Sequence, residues 1–314
     1  MHGPDVLSEI FSTLRLNGSL YFRARLSGAY AVEVPRERRT IRFHLVREGA
    51  CLVSVPGERD VELGPGDLII IPDGAPQVLS SGEGIPAVPL GDVLAKIPVE
   101  DGVLSCAAPP SPAVRFPDVD LLCGYCVFDE AIDHPILKAL PGAMVLRSTD
   151  LAQEPCTRGA LDLLAMEAEL EAPGMIGVLS RLIEIVFLQA VRGDVDASAK
   201  PPAGFMAALQ DNNVSKALGA IHRDPRAGWT LESLASEAGM SRARFADRFA
   251  RLVGVPPINY LAQWRLMKGR ALLAETGASL EDIAVRCGYA SAASFSRRFK
   301  QEFGIGPGAY RKSR

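Results

Sequence analysis

In the last third of the chain, apolar residues recur at helical spacing, and the pattern occurs twice. Leu231, Leu234 and Ala235 line one side of a short helix ahead of Gly239; Leu280, Ile283 and Ala284 do the same ahead of Gly288. After each glycine a second helix is predicted, with Phe245 and Phe249, or Phe295 and Phe299, four apart on one buried face. Both copies close with a glycine, a proline and a tyrosine: Gly254, Pro257 and Tyr260, then Gly304, Pro307 and Tyr310. The offset is 49 up to the turn glycines and 50 from the phenylalanines onward, so one residue has been added in the second turn. Two copies of one helix-turn-helix unit are implied. The glycines supply a left-handed exit from the first helix, and Ser241 or Ser291 is placed to cap the second.

Between the copies, Pro257 to Glu275 reads as one helix, opened by proline and carrying Tyr260, Leu261, Trp264, Met267 and Leu272. Its 19 residues span roughly 28 Å at 1.5 Å per residue, near the ~34 Å between successive major-groove faces of DNA. An ordinary helical bundle explains the buried aromatics, but not the duplication, the turn glycines and the basic outer faces together.

Further upstream the period changes. Asp5 to Leu16 is predicted as an amphipathic helix with Val6, Ile10, Phe11 and Leu14 inward. From Ser19 to Leu79 the period is two, with turns at Glu48-Gly49, Pro56-Gly57 and Gly64-Pro65-Gly66, which predicts a series of strands. Ser80 to Phe116 is rich in Pro, Gly and small residues and reads as irregular. Asp120 to Asp129 returns to a strand, and His134 to Leu146 reads as a short helix, a Pro141-Gly142 turn and a strand. Two helices follow, Arg158–Glu171 and Met175–Arg192, and 193–204 reads as a linker. The apolar stripe of the second helix (Ile176, Leu179, Leu182, Ile183, Val186, Phe187, Ala190) suits packing on the strands or pairing of two subunits. Asn213 to His222 begins the final domain. The fold class expected is α+β in two domains: a strand-rich domain with accessory helices over 1–192, and an all-α double helix-turn-helix over 205–314.

Charge divides the chain at the same place. Residues 205–314 hold 17 of the 34 basic and 9 of the 37 acidic side chains, a balance of +8. The other 17 basic and 28 acidic side chains leave −11 on residues 1–204. The basic part suits phosphate neutralisation, whereas the acidic part is repelled by it. The 314-residue chain has no apolar run long enough for a membrane span, no signal-peptide pattern at its start and six cysteines without a disulfide framework. The expectation is a cytoplasmic protein with no membrane partner.

Several of these stretches carry a family resemblance. Trp229 to Ala235, Tyr260 to Leu266, Ile283 to Tyr289 and Ser294 to Lys300, with Gly304, Pro307 and Tyr310, resemble the DNA-binding domain of AraC/XylS-type transcription regulators. The match spans about residues 213–311. Gly66-Asp67-Leu68-Ile69-Ile70-Ile71-Pro72-Asp73-Gly74 resembles the second motif of the cupin barrel, and Arg42 to Gly49 a degenerate first motif. The cupin resemblance implies that the strand-rich domain over 1–192 is a cupin-like β-barrel. The family resemblance implies a regulator, by family default an activator, with double-stranded DNA, RNA polymerase, a small-molecule effector and a second copy of the chain as partners.

Positions two away from a buried phenylalanine point outward on a helix. In the first copy these are Ala243 and Asp247, flanked by Arg242, Ala246 and Ala250; in the second, Ala293 and Arg297, flanked by Ala292, Ser296 and Lys300. The family's base-contacting positions fall on the same faces, and Ser291 adjoins the second. Arg297 is the foremost base reader, because guanidinium pairs bidentately with guanine. Arg242, Arg244, Arg248, Arg298 and Lys300 suit phosphates, which position without specifying. Asp247 departs from the family and accepts either from a cytosine amino group or from Arg244 or Arg251.

In the barrel, Gln77 stands where a metal-binding cupin has its second-motif histidine, and His44 is the one imidazole of the first motif. With Arg42 these make a poor shell for Zn²⁺ or Fe²⁺, so no metal and no cofactor is expected. A cupin-type metal enzyme fused to a DNA-binding module is the competing reading, and Gln77 speaks against it. Arg42, His44 and Gln77 line a pocket for a polar or anionic ligand, or else satisfy one another. Cys123 and Cys126 form a C-x-x-C, a redox or metal hint; on a regular strand they face opposite sides, as buried apolar residues would.

Overall fold

A computed structural model describes residues 5–14, 16–128, 134–151, 154–170, 172–196 and 204–313. The chain opens with α1 (Val6–Leu14), β1 (Asn17–Ser27), β2 (Ala31–Val34), β3 (Thr40–Gly49) and β4 (Cys51–Ser54). It continues through β5 (Val61–Leu63), β6 (Leu68–Ile71), β7 (Gln77–Ser80), β8 (Val88–Pro89), α2 (Leu90–Lys96) and β9 (Val103–Ala107). Next come β10 (Asp118–Val127), α3 (Pro135–Ala139), β11 (Met144–Leu146), α4 (Ser148–Leu151), α5 (Pro155–Glu167) and α6 (Met175–Asp196). The remainder is helical: α7 (Gly204–Gln210), α8 (Val214–Arg223), α9 (Leu231–Glu237), α10 (Arg242–Val253) and α11 (Pro257–Glu275). It ends in α12 (Leu280–Arg286), α13 (Ala292–Phe303) and α14 (Pro307–Lys312).

The residues divide into a sheet unit, Leu16–Glu130 with Leu140–Asp196, and a helical unit, Met1–Arg15, Ala131–Ala139 and Ala197–Arg314. In the sheet unit, strands in the order β11-β6-β3-β10-β1-β9 face a second sheet ordered β5-β4-β7-β2-β8. Neighbours are antiparallel except β1/β9 and β2/β8. Leu26, Val46, Ile69, Ile71 and Leu121 of the first sheet meet Val32, Val53, Leu63 and Leu79 of the second in one core. The barrel expected from the cupin-like motifs is thus a pair of facing sheets; among the described residues no ladder joins their edges into a closed cylinder.

The outer face of the first sheet is covered as well. Ile41, Phe43, Ile70 and Cys126 pack against Leu164 of α5 and Ile183, Val186 and Phe187 of α6. That settles one use of the α6 stripe, while Ile176, Val178 and Ile185 of α6 and Leu163 and Met166 of α5 remain exposed. The stretch Ser80–Phe116 is more regular than expected. It holds β8, α2 and β9, which the pattern did not reveal because α2 and β9 each bury a single side chain, Val93 and Leu104. The expected helix Arg158–Glu171 begins three residues earlier, at Pro155, and ends at Glu167. Of the expected linker 193–204, α6 takes up residues to Asp196, and 197–203 lie outside the described residues, as does Asp129 of the expected strand.

The helical unit takes in two segments from far upstream. Helix α1 packs on α8 and α11, burying Ile10 and Leu14, and Lys268 Nζ donates to Glu9 Oε2 at 2.8 Å. Helix α3 packs on α7. The sequence-based boundary assigned both segments to the first domain. His134, just ahead of α3, is buried with its ring edge-on to Phe205 and Nε2 3.2 Å from the Tyr260 hydroxyl. His222 Nε2 approaches the same hydroxyl at 2.7 Å. Burial, the dominant cause, pushes His134 down to about 3 and His222 well below its ordinary 6.5.

Both repeat turns form as expected. Gly239 and Gly288 have φ of 64° and 75°, and the amide after each glycine donates back into the preceding helix: Met240 N to Ala235 O and Tyr289 N to Ala284 O, each 2.9 Å. The two turns differ in their surroundings. A Cβ at Gly288 would lie 2.9 Å from Arg226 Cα, whereas one at Gly239 meets nothing nearer than 3.9 Å.

Gly239→Ala is therefore expected to lose about 1–2 kcal/mol, the left-handed penalty alone, and Gly288→Ala more than that; equal shifts in urea midpoint would contradict the difference in packing. The neutral histidines give a second expectation. An unfolded histidine takes up a proton below about pH 6.5, while the folded values are depressed. The stability they contribute is thus complete above that pH and declines as pH falls, by up to about 1.4 kcal/mol per histidine per unit. Trp229 and Trp264, the chain's two tryptophans, both lie in the helical unit. Urea melts followed by their fluorescence are expected to weaken between about pH 7.5 and 5.5, and His134→Phe to flatten that slope; a midpoint unchanged over this range contradicts the assignment.

Candidate nucleic-acid interface and effector cavity

Phe245 and Phe249 of α10, and Phe295 and Phe299 of α13, are fully buried, with ring centroids 5.5 Å apart in each pair. Anchoring one face fixes what the other presents. On α10, Arg242, Ala243, Arg244 and Asp247 are exposed and Ala246, Arg248 and Ala250 half-buried. On α13, Ala293, Arg297 and Lys300 are exposed and Ala292, Ser296 and Arg298 half-buried, and Ser291 ahead of it is exposed. The outward positions expected from helical spacing are thus brought onto two helix faces.

Their local partners separate them. Arg297 has no hydrogen bond or ion pair among the described residues, and Asp247 pairs with neither Arg244 nor Arg251. Arg242 Nε lies 3.0 Å from Glu232 Oε1, both well exposed, a pair of small energetic weight. Arg248 is different: its Nε donates at 2.8 Å to Asp211, whose side chain is buried. Asp211 also accepts from the Asn213 and Val214 amides at the start of α8. Burial works against its ionised form, and these backbone amides and Arg248 more than offset that, so its carboxyl stays below the usual range. Arg248 therefore holds α10 to the start of α8, a role its place among the basic residues did not signal; an acidic residue two ahead of a helix N-cap was the available clue.

The N-caps also differ. Ser291 Oγ accepts from Ser294 N at 3.2 Å, and Ser294 Oγ lies 3.3 Å from Ser291 N in return. Ser241 makes no side-chain cap bond.

In the sheet unit, the residues between the sheets form a cavity of about 150 Å³. Its wall is mostly apolar, including Phe22, Ala24, Val34, Leu79 and Leu104, and its polar members are Tyr21, Glu37, Arg42 and His44. Pairing sets this arrangement: on β3 and β10, His44 lies opposite Cys123 and Arg42 opposite Tyr125. The left-handed Gly74 (φ 60°) lets the Glu37 carbonyl approach to where a Cβ would be 2.0 Å away, which brings the Glu37 turn against the strand ends.

His44 is completely enclosed. Gln77 Nε2 lies 2.8 Å from its Nε2, and Cys123 Sγ lies 3.2 Å from its Nδ1. With the amide nitrogen donating, the ring proton sits on Nδ1. Burial, then the Arg42 charge, pushes its pKa down to about 3. With both ring nitrogens engaged and no carboxylate or second imidazole beside it, this donor set does not fit a divalent metal. Among the described residues no three His, Cys, Asp or Glu side chains group as metal ligands. Gln77 is thus a partner of His44, and of the three expected pocket residues only Arg42 and His44 line the cavity.

Arg42 is 2% exposed. Its Nη2 donates to Glu37 Oε2 at 3.1 Å, and the Tyr21 hydroxyl donates to the same oxygen at 2.7 Å. Those bonds, Tyr21's above all, hold the Glu37 carboxyl below its ordinary value, while burial raises the Tyr21 phenol to about 12. Nε and Nη1 of Arg42 have no protein acceptor, a deficit of about 1–3 kcal/mol for each buried group left unpaired. Sequence reasoning missed Glu37 and Tyr21, which no motif marks.

Cys123 and Cys126 do not pair. Cys123 belongs to the core between the sheets, and Cys126 packs on the opposite face of β10 against α6. Burial raises both thiols, Cys126 to about 12. The two thiols of the C-x-x-C thus lie buried on opposite faces of β10.

Comparison with known proteins agrees with both halves. The cupin family profile matches residues 5–196, and that of the helix-turn-helix domain residues 234–313. A putative AraC-like transcription regulator of Streptomyces antibioticus is 30% identical over 98% of both chains. This chain belongs to the AraC-like transcription regulators. The HTH-type transcriptional regulator AlkR of Acinetobacter baylyi is 28% identical over 98% of this chain and 99% of its own. Among solved structures, the DNA-binding domain of AdpA in complex with a target DNA is 28% identical, covering 33% of this chain and 93% of that one, with a TM-score of 0.32. The regulator is a DNA-binding protein of the helix-turn-helix type, and no described helix is long and apolar enough to cross a membrane.

Because only one reader helix has a side-chain N-cap, Ser291→Ala is expected to lose about 1 kcal/mol and Ser241→Ala much less. Chemical denaturation of the two variants tests this, and equal losses would contradict it.

Proposed function

We propose that α10 and α13 read successive major-groove faces of double-stranded DNA, and that a small effector in the sheet-unit cavity governs the outcome. The observation that carries this is the pair of Phe-anchored helices with opposite faces exposed and basic. Arg297, exposed and unpaired among the described residues, is the foremost base reader. Ala243, Ala246, Asp247, Ala292, Ala293 and Ser296 complete the two reading faces, with Ser291 at the head of the second. Arg242, Arg244, Arg298 and Lys300 hold phosphates, and Arg248 contributes by fixing α10 through Asp211.

Effector occupancy shifts a pre-existing equilibrium between DNA-competent and incompetent arrangements. The apolar side chains left exposed on α5 and α6 support a homodimer. Transcriptional activation through RNA polymerase, action in the cytoplasm and absence of enzymatic turnover complete the reading; the donor set around His44 speaks against the metal-enzyme alternative.

Footprinting on the DNA upstream of the protein's own coding sequence, at two salt concentrations, tests the reading. Protection of two major-groove segments about one helical turn apart is expected. Arg297→Ala is expected to lose about 1–3 kcal/mol of discrimination at one base pair. Lys300→Ala weakens all sequences alike and lowers the salt slope by about one. Protection indifferent to sequence would overturn the proposal.

A further inference from the structure

The cavity between the sheets has one charged corner and an otherwise apolar body. Among the described residues Arg42 is the only cation in its wall, since burial keeps His44 neutral. The guanidinium is enclosed, yet only Nη2 has a protein acceptor; the three hydrogens on Nε and Nη1 have none. Glu37, its counter-ion, has a half-exposed side chain at the same wall and shares its carboxylate with the Tyr21 hydroxyl. Two of the guanidinium's three nitrogens are thus left without a protein acceptor at the cavity wall.

From this geometry we infer that the cavity takes a small monocarboxylate, a carboxylate oxygen accepting from Arg42 Nη1 and its apolar body among Ala24, Val34, Leu79 and Leu104. The inference rests on the proposed reading of the cavity as the effector site and names its ligand class. An ammonium is excluded by the buried Arg42. A phosphate or sulfate brings more acceptor oxygens and charge than one guanidinium in an apolar wall satisfies. A hydroxyl is neutral and leaves the charge uncompensated. Size is set by volume: a dry cavity of about 150 Å³ admits a benzene-sized guest, which limits the body to about six carbons.

Calorimetric titration of the full chain with hexanoate, 1-hexanol and hexylammonium tests this, using wild type, Arg42→Met and Ala24→Phe. Hexanoate is expected to bind wild type at least about tenfold tighter than hexanol, with no binding of hexylammonium. Arg42→Met is expected to remove that advantage and leave hexanol unchanged, and Ala24→Phe to abolish both. If Arg42→Met fails to fold, the comparison of the three probes on wild type still decides. Hexanol binding as tightly as hexanoate overturns the carboxylate assignment while leaving the cavity an effector site. No binding of hexanoate to wild type, or binding unaffected by Ala24→Phe, also overturns the inference. Hexanoate that binds through Arg42 without altering operator affinity supports the ligand class and removes the effector reading.

Discussion

Residues 40–46 of β3 are all buried, because the strand has apolar material on both sides. A strand covered on both faces cannot dispose of a polar residue toward solvent. Ile41 and Phe43 take the face against the helices, which leaves Arg42 and His44 on the inner one. Each must then find partners inside or remain unsatisfied. His44 does so completely through Gln77 and Cys123. Arg42 does so in part, through Glu37. The cavity's character follows from that difference. It is a gap in an apolar core with one incompletely answered charge, and the neutral, fully engaged imidazole beside it explains why metal chemistry does not fit.

A different constraint governs the helical unit. Each repeat turns through a left-handed glycine and buries two phenylalanines four apart, so the second helix has one orientation available about its own axis. The outward residues follow from that geometry. Their number of positive charges is less informative than their freedom. Arg248 is held by Asp211 and Arg242 leans on Glu232, whereas Arg297 is tied to nothing described. A basic side chain already paired inside the protein loses that interaction on reaching for a phosphate, which is why equivalent-looking arginines are assigned unequal roles.

The two units interleave along the chain. The helical unit receives α1 and the segment holding α3, while the sheet unit takes the stretches that follow each. His134 lies at the Tyr260 hydroxyl shared with His222, so residues between β10 and β11 complete the core around Trp264. A cut near residue 204 would thus remove Ile10, Leu14 and His134 from contacts that the helical core uses.

By itself the sequence determined the double helix-turn-helix, the Pro257–Glu275 helix and the outward faces, because each rests on local geometry: a helical period, a glycine with positive φ, a proline at a first turn. It determined the strand-rich first half and the regulator family by motif. It did not determine the pairing of Arg42 with Glu37, of Arg248 with Asp211, or of His134 with Tyr260, nor the elements within Ser80–Phe116. Those depend on residues far apart in sequence, or on helices and strands that bury one side chain apiece, and no periodicity encodes either. Whether Arg42 and His44 would satisfy each other or line a cavity was open in the sequence. Only the tertiary structure decided it, by giving His44 a complete set of partners and leaving part of Arg42 without one.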